Sequence, residues 1–159
     1  MMDRLNQIIS NTEFIARLNK LSVLENDRIF CKHDINHFLD VARLMTIYAN
    51  QLKIDLSHDI IYATALLHDL GRVDQYQKNI PHEIASANIA KTILVNCGFN
   101  SFEIEIITKA ILMHRNPIAT DDLGKLLYLA DKKSRMCFCC NSESECNWSA
   151  DEKNQYLEF

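Results

Sequence analysis

The chain has 159 residues, 48% of them apolar and 24% charged, the balance of one soluble domain with a real core. A formal charge of −4 offers no general attraction for DNA, RNA or an anionic membrane. No apolar run approaches the ~20 residues that span a bilayer, and three Gly and two Pro are too few for a turn-rich β protein.

The opening MMDRLNQIIS lacks the basic start and apolar run of an export signal, so a cytoplasmic location is expected. In that compartment the six cysteines are expected as free thiols or metal ligands rather than disulfides. The apolar residues follow a helical period. A first helix is predicted over residues 3–20, broken near Asn11, with Phe14, Leu18 and Leu21 on one face. Over 34–52 the stripe is His37, Val41, Leu44 and Tyr48. Ser57 is placed to cap a helix that runs to Leu70, with Gly71 as its stop. The segment 73–81 reads as a short connection that leaves the neighbouring site open. Pro81 suits the first turn of the next helix, whose face is His82, Ala85, Ile89 and Ile93 and which Gly98 ends. Ser101 is read as the cap of a helix with the stripe Ile104, Ile107, Ile111, His114, stopped by Asn116-Pro117. Asp121 or Asp122 opens a helix carrying Leu123, Leu126, Leu127 and Ala130 up to Asp131. A short last helix is expected from Ser149, with Glu152 completing a capping box. There is no repeat, low-complexity segment or linker, and the fold class is all-α, a single domain of about six to seven helices.

Four of the six histidines, His37, His68, His82 and His114, lie on an apolar stripe or end one. Asp69 follows the run IIYATALLH, and Asp131 follows LLYLA. Burying a carboxylate after such a run is costly unless a cation or donor compensates it. Neutral imidazoles with carboxylates suit Mn, Fe, Co, Ni or Zn. A lone histidine on an apolar face is more often a satisfied core residue; the ordered set of His37, His68-Asp69 and Asp131 points to a metal.

That ordered set, within NHFLDVARL, ALLHDLGR and LLYLADKKSR, resembles the HD-domain superfamily of metal-dependent phosphohydrolases. The resemblance covers a core of about 29–135 and leaves 136–159 as a Cys-rich C-terminal tail. It implies an HD-domain helical bundle in which His37, His68, Asp69 and Asp131 hold a divalent transition metal. Members with two ions add two histidines, here His82 and His114, and Asp69 then bridges the ions. The alternative is that these two hydrogen-bond phosphate or each other beside a single ion. His33 and His58 fall near helix starts and are read as surface residues or as partners one step removed from the ion.

The reaction implied is attack of a metal-activated water on phosphorus. Asp69 serves as ligand and catalytic carboxylate, and Arg72, fifth in HDLGR, is the first candidate for a phosphate clamp. Arg115, Lys132 and Arg135 flank His114 and Asp131 and are further candidates; for each the alternative is a solvated charge. Asp74 is a weaker candidate for a general acid or base. The expected substrate is a small phosphorylated compound, a phosphomonoester or a nucleotide phosphoanhydride, with no nucleic-acid polymer or membrane as partner and a homodimer allowed. Two other functions fit the same residues: a di-iron oxygenase on this scaffold, and a catalytically silent nucleotide-binding or redox-sensing module.

The tail RMCFCCNSESECNW places Cys137, Cys140 and Cys146 in a C-x2-C-x5-C pattern that resembles half of a structural zinc or iron–sulfur site. Cys139 or the distant Cys31 is the expected fourth ligand; uncoordinated thiols are the alternative.

Overall fold

A computed structural model of the chain describes residues 3–118 and 121–157. Among them there are eight α-helices, two short 3-10 turns and no strand, so the fold is all-α as expected. The helices are α1 (Arg4–Ile9), α2 (Thr12–Leu24), α3 (Ile35–Leu52), α4 (His58–Leu67), α5 (Arg72–Lys78), α6 (His82–Asn96), α7 (Ser101–Met113) and α8 (Asp122–Lys133). The 3-10 turns, Cys137–Cys139 and Glu143–Glu145, lie in the tail. No helix is long and apolar enough to cross a membrane, among the described residues.

Side-chain caps set most helix starts. Asn11 accepts from the backbone of Glu13 and Phe14, which breaks the first predicted helix into α1 and α2. Asp34, Ser57 and Asp121 cap α3, α4 and α8 by the same device. The α7 cap is Asn100 rather than Ser101, because Glu103 reaches back to the Asn100 amide and completes a capping box. Gly98 ends α6 at φ 75°, as expected. Near Ser149 only a single turn forms: Glu152 accepts from the Ser149 amide at 2.8 Å, but no helix follows.

The helix α4 lies at the centre, packed against α1, α3, α6, α7 and α8. Its residues Ile61, Ala63, Thr64, Ala65, Leu66 and Leu67 are all buried, so it is apolar around most of its circumference. Phe38 and Met45 of α3, Ile93 and Leu94 of α6 and Ile107 of α7 pack around it. The end of α4 therefore delivers His68 and Asp69 into the middle of the molecule.

Two expectations are corrected around that end. Gly71 is not a left-handed stop; its φ is −71°, and α4 closes on His68 in helical conformation. What requires glycine there is space. A Cβ at Gly71 would meet His82 O and Ser86 N at 2.4 Å, both backbone atoms of α6. The Gly71 amide donates to Ser86 Oγ at 2.8 Å and fastens this contact. Nor is 73–81 an open connection. It holds all of α5 but the first residue, with Asp74 in the helix's first turn and Lys78 in its last, and Val73 and Asp74 are buried.

Gly71→Ala is expected to cost roughly 1–3 kcal/mol, because the added methyl group meets backbone rather than a flexible side chain. Urea unfolding measures it, and an unchanged midpoint would show that α5 and α6 separate freely.

Candidate metal centre

Four side chains from three helices meet at the centre. His37 lies in the first turn of α3, His68 and Asp69 follow α4, and Asp131 is near the end of α8. His37 Nε2 lies 3.3 Å from Asp131 Oδ1 and 3.8 Å from Asp69 Oδ2. His68 Nε2 lies 3.3 Å from Asp69 Oδ2 and 3.8 Å from Asp131 Oδ1. One donor atom from each of the four falls within 4.8 Å of the others, and all four residues are buried.

A second set shares Asp69. His82, which opens α6, and His114, which closes α7, bring Nε2 to 3.3 and 3.7 Å from Asp69 Oδ1. Their two Nε2 atoms are 3.1 Å apart. These three residues form another buried group of donors within 4.8 Å.

Outer acceptors decide which ring nitrogens carry protons. His68 Nδ1 donates to Ala65 O at 2.7 Å and His114 Nδ1 to Ile111 O at 2.6 Å. His82 Nδ1 donates to Gln75 Oε1 of α5 at 2.8 Å. With those protons committed, the Nε2 lone pairs of His82 and His114 face one another and Asp69 with no proton between them. Both Asp69 oxygens and His68 Nε2 are fully buried and lack a hydrogen-bond partner. Orphaned buried groups of this kind are rare and call for an ion or water. Imidazole nitrogens and carboxylate oxygens are the donors that divalent transition metals take, and the outer acceptors supply the usual orientation of metal-binding histidines. The residues fit a metal.

Burial alone would raise the Asp69 and Asp131 carboxyls, yet both are held well below the usual carboxylate range. Arg72 and His68 act on Asp69, and His37 and His68 on Asp131. Burial opposes charge on His68 as well, but the two carboxylates push its imidazole up to about 10. Without an ion, a proton on His68 thus serves the two acids.

The expected cations divide into two groups. Arg72 Nε sits 2.9 Å from Asp69 Oδ1, an ion-pair contact without hydrogen-bond alignment. Arg135 Nη2 donates to His37 Nε2 at 3.1 Å and lies 3.8 Å from Asp131 Oδ1, while Nη1 donates to Lys32 O at 3.0 Å. Lys132 Nζ is 3.5 Å from Asp131 Oδ2. All three line a cleft of about 190 Å3 beside the centre. Arg115 does not: it is exposed, pairs with Glu83 at 3.6 Å and lies outside the cleft lining. Asp74 is held by Arg17 at 2.6 Å and Lys78 at 2.8 Å, the contacts of a structural ion pair.

The cysteines do not close on one point. Among the described residues no three of their sulfurs lie within 4.8 Å of one another. Cys31, Cys137, Cys140 and Cys146 instead line the cleft, and Cys139 is exposed with Sγ 3.6 Å from Met136 O. The tail is pinned by Asn154 Nδ2, which donates to Lys132 O at 2.7 Å and Arg135 O at 2.8 Å. It therefore walls the cleft, and its last two residues lie outside the described ones.

His58 opens α4 on the surface, away from the site. His33 is the residue the sequence reading undervalued. It is buried, its Nε2 lies 3.8 Å from Asp69 Oδ2, and its Nδ1 bonds Glu25 Oε1 at 2.6 Å. Its one legible signal is its place four residues before His37. Glu25 carried none.

The HD-domain family model matches residues 34–136, the segment that contains all six residues of the two groups. The chain belongs to the HD-domain family, whose members are generally metal-dependent hydrolases. An uncharacterised protein of Clostridium beijerinckii is 46% identical over 153 residues, 96% of this chain and 97% of that protein. The crystal structure of a predicted HD superfamily hydrolase from an uncultured Thermotogales bacterium superposes with a TM-score of 0.65 at 24% identity. That match covers 92% of this chain and 82% of the other, and it supports the fold.

Asp69→Ala and His68→Ala are expected to abolish bound transition metal while the helical circular dichroism persists; metal retained at wild-type stoichiometry in either variant contradicts the site. Because an ion must displace the His68 proton, affinity is expected to rise with pH, by about tenfold per unit for each proton released. Calorimetric titration in two buffers of different ionisation heat measures that proton.

Proposed function

We propose that the protein is a metal-dependent phosphohydrolase that cleaves a small phosphate ester or the phosphoanhydride of a nucleotide, using two ions that share Asp69. The observation that carries this reading is the position of Asp69, fully buried with one orphaned oxygen toward each donor group. When bound, the ions would supply Lewis acidity and a water acidic enough to attack phosphorus at neutral pH.

The chain's own residues account for the rest. Arg72 and Arg135 stand at the cleft with their guanidinium groups steered by Asp69, His37 and Asp131. Such planar groups offer paired donors to phosphate oxygens. Lys132 adds a third positive charge at the rim, 5.6 Å from the ring of Trp148. Phe30 and Trp148 are the aromatic parts of the lining, and a planar base could stack on either. At about 190 Å3 the cleft is smaller than the roughly 300–1,000 Å3 of sites that enclose a whole drug-sized ligand. It suits a phosphate and the group attached to it, with the remainder of a nucleotide lying across the tail.

The test is metal-free protein reloaded without oxygen with Mn, Co, Ni or Fe and offered a panel of phosphomonoesters and nucleotides. Phosphate release is expected with at least one metal, and oxygen uptake without phosphate release would assign the centre to oxygen chemistry instead. Arg72→Ala is expected to lower kcat/KM about 10–100-fold, the loss of one or two charged hydrogen bonds. Arg115→Ala, outside the cleft, serves as the control.

A further inference from the structure

Beside Asp69 lies a buried array that neither donor group includes. Glu25, at the end of α2, is 2% exposed. It accepts from the His33 amide at 2.7 Å, from His33 Nδ1 at 2.6 Å and from Tyr76 Oη of α5 at 2.7 Å. Packing alone does not call for this arrangement, since apolar residues of similar volume would fill the space without burying a carboxylate. Its consequence is to fix the ring of His33. The Nδ1 proton is committed to Glu25, so Nε2 carries a lone pair.

His33 Nε2 and Asp69 Oδ2 are thus two acceptors 3.8 Å apart, too far to bond each other and close enough to face one occupant. His33 falls in neither set of donor atoms that close within 4.8 Å, so it is not placed to share an ion with the other imidazoles. It does line the cleft, next to Arg72 and Asp131. An acceptor at that position recognises a hydrogen-bond donor, and a phosphate dianion has none to give. Water does.

We propose that His33 is a further catalytic residue, whose Nε2 accepts a hydrogen bond from the attacking water and so aims that water's oxygen at the substrate, with Glu25 and Tyr76 as positioning residues. The inference deepens the phosphohydrolase reading and rests on it.

Two measurements test it. Long-range 1H–15N NMR of histidine-labelled, zinc-loaded protein is expected to show His33 neutral, protonated on Nδ1, with Nε2 free of the shift that zinc gives the other rings. A proton on Nε2, or a zinc-shifted Nε2, would overturn the proposal. With manganese-loaded protein and the best phosphomonoester of the panel, His33→Gln is expected to keep its metal and to lose about 100-fold or more in kcat. KM should stay within about threefold. Glu25→Gln, which leaves the imidazole in place, should lose about 10–100-fold. If the wild-type protein hydrolyses and His33→Gln matches it, the role of His33 fails alone. If the loaded wild-type protein hydrolyses nothing, the phosphohydrolase reading fails, and the proposed role of His33 with it.

Discussion

The structure is organised around one electrostatic problem, the burial of Asp69 with both carboxylate oxygens lacking a hydrogen-bond partner. An unpaired buried charge would cost several kcal/mol, enough to consume much of a domain's net stability. Arg72 offsets part of this, and a proton on His68 offsets a further part. What the surroundings are built to bind is a cation: His37, His68, His82 and His114, the four imidazoles of the two donor groups, hold Nε2 3.3–3.8 Å from Asp69. The donors gathered at this point are those that a divalent transition metal takes.

The packing follows from that requirement. The α4 helix has to be apolar nearly all round, because it carries His68-Asp69 to the centre of the bundle. Beyond it the chain must turn and let α6 approach closely enough for His82 to reach the same carboxylate. Gly71 permits that approach, and Ser86 fastens it. The α5 helix then serves two rings at once, through Gln75 on His82 and Tyr76 on the Glu25–His33 pair. A change in α5 is therefore felt at the centre through its partners as well as through Arg72.

Much of this is legible in the sequence where burial and period coincide. The stripes of α3, α7 and α8 place His37, His114 and Asp131 because apolar neighbours at helical spacing leave those side chains only an inward direction. The caps Asn11, Asp34, Ser57 and Asp121 are legible because each side chain acts on a backbone group two or three residues away. What the sequence hides is set by distant parts of the chain. Gly71 reads as a helix stop, but its role depends on α6. Glu25 looks like any surface acid until Tyr76, 51 positions later, and His33 close on it. Arg115 and the cysteines show the opposite error, in which sequence proximity to a site, or a ligand-like spacing, does not bring the side chains to one point.

The most direct test of the central claim is crystallographic. Crystals of the full chain grown with manganese and measured above and below its absorption edge would give an anomalous map. A peak is expected at about 2–2.5 Å from Asp69 Oδ2 and His68 Nε2, bonding distance for such an ion, and at saturation a second peak toward His82 and His114. A map with no peak beside Asp69, and ordered water or a protein cation in its place, would contradict it.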